Sequence, residues 1–237
     1  MNDLLARKYS YQTSANDPIQ VKEYTLSNGM RLFMSVNRHE PRIFSNIVVR
    51  AGSKHDPAET TGLAHYMEHM LFKGTSKIGT TDWEREKVLL AEIAELYERH
   101  RQTSDEGQRK AIYAQIDQLS TEAARLAAPN EYDKLVTALG AEDTNAYTWV
   151  EQTVYVNDIP GNELERWMYL ESERFRMMAL RLFHTELETV YEEFNIGQDR
   201  DFRKVGNTLR GLLFPDHPYG TQTTIGSRSE EHTSELQ

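Results

Sequence analysis

An α+β fold, with a mixed or antiparallel sheet packed against helices, is what this sequence predicts. Strand-like runs cluster at residues 21–50 and 145–157, long helical patterns fill 83–126 and 162–204, and the two kinds are grouped rather than alternating as βαβ units. At 237 residues the chain can build a core without staples. It has no cysteine, which excludes disulfides, thiolate metal sites and cysteine nucleophiles, so any metal must be held by histidine and carboxylate. A formal net charge of -10 argues against a general nucleic-acid binder. No positively charged segment followed by an apolar run opens the chain, and no stretch approaches a membrane span. The expectation is therefore a cytoplasmic protein with no membrane contact, or a periplasmic one if a targeting segment lies upstream of Met1.

In chain order, residues 1–17 are polar and aperiodic and read as a flexible N-terminal arm. Val21–Leu26 and Arg31–Val36 flank Ser27-Asn28-Gly29, and the Asn-Gly pair supplies the positive φ of a tight hairpin. Ile43–Arg50 contains a continuous β-branched run of the kind found in a buried central strand. Thr61-Gly62 opens a helix with Leu63, Tyr66, Met67, Met70 and Leu71 on its apolar side. Thr81-Asp82-Trp83-Glu84 reads as a capping box for a helix carrying Leu89, Ile93 and Leu96. After a polar break at 103–107, a second helix carries Ile112, Ile116, Leu119, Ala123 and Leu126. The pair forms a helical hairpin over about 83–128, read as a spacer or lid packed on the main domain, the alternative being a partner-binding arm. Tyr132–Leu139 is a short helix closed by Gly140. Strands Asn145–Trp149 and Thr153–Asn157 follow, then a helix from Asn162 to about Leu180, one from about Thr185 to Lys204, and a last one over 205–213.

The chemistry concentrates in His65-Tyr66-Met67-Glu68-His69. Positions i, i+3 and i+4 share a helix face, so His65, Glu68 and His69 point into one space. Two neutral imidazoles suit a divalent metal, and Glu68 is placed to accept a proton from water rather than to bind the ion. This order is the inverzincin signature. A catalytic zinc has three protein ligands, so a third must come from elsewhere, and Glu193 is the candidate. It shares a helical stripe with Glu186 and Val190.

Together with Asn145-Ala146-Tyr147-Thr148, Gln152-Thr153-Val154-Tyr155, Glu186-Leu187-Glu188-Thr189-Val190-Tyr191-Glu192-Glu193 and His217-Pro218-Tyr219, the run Gly62–Thr75 resembles the insulinase/pitrilysin family of zinc peptidases. The resemblance implies a metallohydrolase half like those of mitochondrial processing peptidase, working as a zinc-dependent endopeptidase. It implies one zinc ion on His65, His69 and Glu193, with Glu68 as general base. It also implies a catalytic-site role for Glu186 near the ion without direct ligation. Glu192 points about 100° away from Glu193 around the helix and is the weaker ligand. Asn145, Ala146 and Tyr147 would form a sheet edge that takes peptides or unfolded segments as an added strand.

Members of this family enclose their substrate with a second homologous half, in the same chain or on a partner subunit, and nothing like it follows here. The sequence therefore predicts a peptidase domain over 18–227, truncated at its C-terminal end and inactive without that half. The alternative is a non-catalytic peptide-binding half of a two-part peptidase. Residues 228–237 read as the translation of a sequencing adapter rather than as natural protein.

Overall fold

The computed structural model describes residues 10–58 and 60–226. The predicted tail 228–237 and residues 1–9 of the predicted arm lie outside them. The residues up to Arg42 form one unit and those from Ile43 another. In the first unit β1 (Tyr11–Gln12), β2 (Lys22–Thr25) and β3 (Arg31–Met34) make an antiparallel sheet in that order. The β2–β3 turn is the predicted one: Gly29 has φ 85°, and its N–H donates to the Leu26 carbonyl at 2.9 Å. Within the arm expected to be loose, Tyr11 pairs with Tyr24.

β4 (Arg42–Val49), which lies in the second unit from Ile43 onward, forms a sheet of order β4-β6-β5 with β5 (Glu142–Thr148) and β6 (Thr153–Pro160). The β-branched run therefore lies on an outer strand rather than a central one, and Phe44 and Val48 are exposed. β6 takes the central position, and its Val154, Tyr155 and Ile159 are buried. β5 and β6 are antiparallel, with Asn145 opposite Val156 and Thr148 opposite Thr153.

The helices are α1 (Leu63–Met70), α2 (Trp83–Gln102), α3 (Glu106–Ala124), α4 (Glu131–Ala138), α5 (Leu164–Arg176), α6 (Phe183–Gln198), α7 (Asp201–Leu213) and the single turn α8 (Pro218–Thr221). Of the apolar side expected for α1, Tyr66 and Met70 are buried and Leu63 is exposed. The predicted capping box does not form, and the cap moves to the next residue. Asp82 caps α2 by accepting from the Arg85 N–H at 3.2 Å, while Thr81 is held by the Leu126 carbonyl. The predicted hairpin is present, with Ile93, Leu96, Ile112, Ile116 and Ala123 as its own core.

Two helix boundaries differ from expectation for identifiable reasons. α5 stops at Arg176 because residues 177–182 run alongside the loop after α1: Ser76 N–H donates to the Met177 carbonyl and Ala179 N–H to the Gly74 carbonyl. The helix expected to run to Lys204 breaks at Asp199-Arg200, and α7 turns back so that the Arg203 guanidinium packs on Gly197, where a Cβ would collide with it.

Ile116 is fully buried inside the hairpin. Ile116→Ala should lower stability by about 2–5 kcal/mol, read as a lower urea midpoint at unchanged slope.

Candidate metal centre

α1 starts without a capping side chain of its own, because its N-cap is Gly62 at φ 91°. The cap arrives from the preceding loop. Asp56 Oδ2 accepts from Gly62 N–H at 2.8 Å and Oδ1 from Ala64 N–H at 2.9 Å, satisfying donors at the positive end of the helix. Gly62 is required by close packing as well as by its φ, since a Cβ there would lie 2.7 Å from the Ile225 carbonyl oxygen. α1 and α6 then pack through Tyr66, Met70 and Val190, which orients the polar faces of both helices toward one cleft. The cleft has a volume of about 560 Å³ and is walled by α1, β5, α6 and residues 224–225.

In that cleft the His65 and His69 rings lie 4.7 Å apart, edge to face. Glu193 Oε2 is 3.8 Å from His65 Nε2 and 3.5 Å from His69 Nε2. One ligand atom from each of the three residues fits within a mutual separation of 4.8 Å. Two imidazole nitrogens and one carboxylate oxygen at such spacing are a donor set that fits zinc.

Neighbouring groups set the state of each donor. Burial, then the adjacent His69, pushes the His65 pKa down, so its ring stays neutral. His69 Nδ1 lies 2.8 Å from Glu186 Oε1, and this hydrogen bond is the main cause of a raised His69 pKa. An ionised carboxylate can only accept, so Nδ1 carries the proton and Nε2 faces Glu193. The other Glu186 oxygen meets Lys73 Nζ at 2.5 Å. Burial pushes the Glu186 pKa up, but the bonds from His69 and Lys73 outweigh it and the net shift is downward. Glu68 is buried beside the histidines, and burial raises its pKa against the opposing hydrogen bond from Thr148, whose hydroxyl donates to Glu68 Oε2 at 2.6 Å.

Comparison with known proteins finds relatives for part of the chain. The family profile for insulinase (peptidase family M16) matches residues 33–87, which include α1. The uncharacterized zinc protease YmxG of Bacillus subtilis is 38% identical over 56 residues, covering 24% of this chain and 14% of that protein. Protease 3 of Escherichia coli is 29% identical over 126 residues, covering 53% of this chain and 12% of that protein. Over residues 33–87, and in these partial alignments, the chain is similar to the insulinase family. The crystal structure of the first half of the periplasmic protease PqqL from Escherichia coli matches it in fold, with a TM-score of 0.63 at 18% identity over 91% of this chain and 37% of that one. Each alignment thus spans a minor part of the relative it matches.

His65, Glu68, His69, Asn145, Ala146, Tyr147, Glu186 and Glu193 all line the one cleft, and Glu192 is exposed outside it. Sequence reasoning assigns nothing to Lys73, Asp56 or Arg203, and it places Thr148 on the sheet edge without its hydrogen bond to Glu68. Lys73 follows His69 by one helical turn and could have been placed on the same face. Asp56 lies six residues before the N-cap, a spacing that carries no capping signal. Arg203 lines the cleft and acts on His65 as a like charge, through the turn into α7 that was read as continuous helix.

The shifts predict a pH dependence for the metal-free chain. Glu186, with its lowered pKa, contributes stability above the ordinary carboxylate range and loses it as pH falls through the folded value; His69, with its raised pKa, contributes below its unfolded value and loses it as pH rises through the folded one. The difference in melting temperature between wild type and Glu186→Gln should therefore be largest at about pH 5 to 6.5 and shrink on both sides. Because Lys73 also pairs with Glu186, a residual difference should persist above that window.

Proposed function

We propose that this chain is the metal-binding, catalytic half of a zinc endopeptidase that cleaves peptides or unfolded segments bound in extended form. The observation that carries the reading is the convergence of His65 Nε2, His69 Nε2 and Glu193 Oε2 beside a buried Glu68. His65, His69 and Glu193 would hold one zinc ion. When bound, such an ion would supply Lewis acidity toward the scissile carbonyl and toward the attacking water near neutral pH.

Glu68 takes that proton and returns it to the leaving amine. Thr148 holds Oε2, while Oε1 has no hydrogen-bond partner among the described residues, so one oxygen stays free to exchange the proton. The upward shift of the Glu68 pKa moves it toward the range in which a carboxylate is an effective base. Glu186 acts through His69: with both oxygens occupied by His69 and Lys73, it fixes the ring orientation and tautomer.

β5 supplies the substrate edge. It is the outermost strand of its sheet among the described residues and lies against the cleft. The Ala146 N–H is held by Asn145 Oδ1 at 2.9 Å, a bond that an incoming extended peptide would replace with its own carbonyl. Tyr147 and Trp149 are exposed beside this edge and would contact substrate side chains. The low coverage of each relative supports a second half, on further chain or on a partner subunit, that closes over the cleft. The domain in this reading spans residues 18–227.

Two substitutions test the assignment in the complete protein. Glu68→Gln should keep stoichiometric zinc while peptide hydrolysis falls at least 10²-fold to 10⁴-fold, on the order expected for loss of a general base. Near-normal turnover would overturn that role. Glu193→Gln should weaken zinc retention in competition with a chelator, and unchanged affinity would move the third ligand elsewhere.

A further inference from the structure

The start of α6 is held by the α2–α3 hairpin at successive positions, although no hairpin residue lines the cleft. The strongest attachment is Arg181, only 2% exposed, against Glu86, 0% exposed. Arg181 Nε and Nη2 donate to the two Glu86 oxygens at 2.5 and 2.8 Å. The remaining donors go to the loop that follows α1: Nη1 to the carbonyls of Lys73 and Ile78 at 2.7 and 3.0 Å, and Nη2 to that of Thr75 at 3.0 Å. Gly74 and Gly79 make room for this guanidinium. Both have positive φ, and Cβ atoms there would come within 2.9 and 2.7 Å of Nη1.

Leu182, next in sequence, sits at φ 54° and turns the chain from this anchor into α6. A left-handed conformation at a leucine persists only where the surroundings dictate it. Phe183 then stacks edge to face on Tyr66 of α1 at 5.0 Å and against Tyr97 of α2 at 5.8 Å, and its carbonyl accepts from the Tyr66 hydroxyl at 2.6 Å. His184 bridges the two arms of the hairpin, with Nε2 2.9 Å from the Tyr113 hydroxyl and Nδ1 3.4 Å from that of Tyr97. Two residues further along stands Glu186, and two turns beyond it Glu193.

We propose that the hairpin is a strut of the metal centre: through Glu86–Arg181 and Tyr97/Tyr113–His184 it fixes the start of α6 and so positions Glu193 against His65 and His69. Arg181 carries a second consequence, because the same guanidinium grips both the loop leaving α1 and the residue entering α6. A displacement of the hairpin therefore moves one ligand helix relative to the other. Glu86, Arg181, Tyr97, Tyr113 and His184 are positioning residues in this account. It rests on the ion site proposed above, and its test separates the two.

The test uses this 237-residue chain, its Glu86→Gln variant, the double variant Tyr97→Phe with Tyr113→Phe, and His65→Ala as control. Zinc affinity is measured against a chromophoric chelator, ligand geometry by the visible absorption of the Co²⁺-loaded chain, and the anchoring of α6 by hydrogen exchange of residues 183–193 in the metal-free chain. Glu86→Gln is expected to lose about 10-fold to 100-fold in zinc affinity, the range found when groups supporting metal ligands are removed. Its Co²⁺ spectrum should change and exchange over 183–193 should quicken. The tyrosine double variant, which leaves the buried ion pair alone, should move all three readouts in the same direction by a smaller amount. Wild-type affinity, spectrum and exchange in the folded variants would overturn the strut while His65→Ala still loses the ion. If Glu86→Gln does not fold, the tyrosine variant decides. Zinc binding that survives His65→Ala unchanged would instead overturn the ion site and the strut with it.

Discussion

Two imidazoles four residues apart on a helix can present their nitrogens to one point, but no residue of the same short helix can close the set from the opposite side. The whole second unit is arranged around that constraint. α6 must approach α1 with its acidic stripe inward, and the apolar contacts Tyr66, Met70 and Val190 make this approach the one that buries surface. Capping by Asp56 and the glycine at 62 then fix where α1 begins. An error of one residue at that start would rotate the histidines by about 100° and remove the convergence.

Charge in the cleft is arranged in a short chain rather than as isolated groups. Lys73 pairs with Glu186, Glu186 with His69, and Glu193 stands between His69 and His65. The consequence is a division of labour between carboxylates of the same type. Glu186 has both oxygens occupied and a lowered pKa, so it serves as a fixed partner. Glu68 has one anchored oxygen and a raised pKa, so it suits proton exchange. Glu193 is half exposed and free to turn toward whatever lies between the two imidazoles.

How much of this was legible in the sequence follows from the range of the interactions involved. The helix-borne spacing of His65, Glu68 and His69, the Asn-Gly hairpin and the two stripes of the helical hairpin are local patterns, and each appears where the pattern puts it. The stripe linking Glu186 to Glu193 survives because it depends only on one helix being continuous between them. What failed depends on distant partners. The β-branched run of β4 was read as central, yet sheet order is set by which strands meet, and β6 takes that place. The end of α5 at Arg176 is dictated by hydrogen bonds to Gly74 and Ser76, about a hundred positions earlier, which no periodicity in 162–180 records. Asp56 escaped notice for the same reason: its acceptor role is defined by loop geometry rather than by the usual spacing to the helix.

The hairpin illustrates why such an attachment need not be apolar. Its own core of Ile93, Leu96, Ile112, Ile116 and Ala123 is complete, so it could be expected to sit on the domain loosely. Instead it contributes a carboxylate to a guanidinium with almost no access to water. An apolar contact tolerates sliding and rotation, whereas a two-point guanidinium–carboxylate fork weakens steeply when either partner shifts or tilts. Removing one member leaves a buried charge uncompensated, at a cost of about 3–5 kcal/mol. The hairpin is thereby committed to a single register on the chain that leads into α6, and that commitment reaches the same helix that carries Glu186 and Glu193.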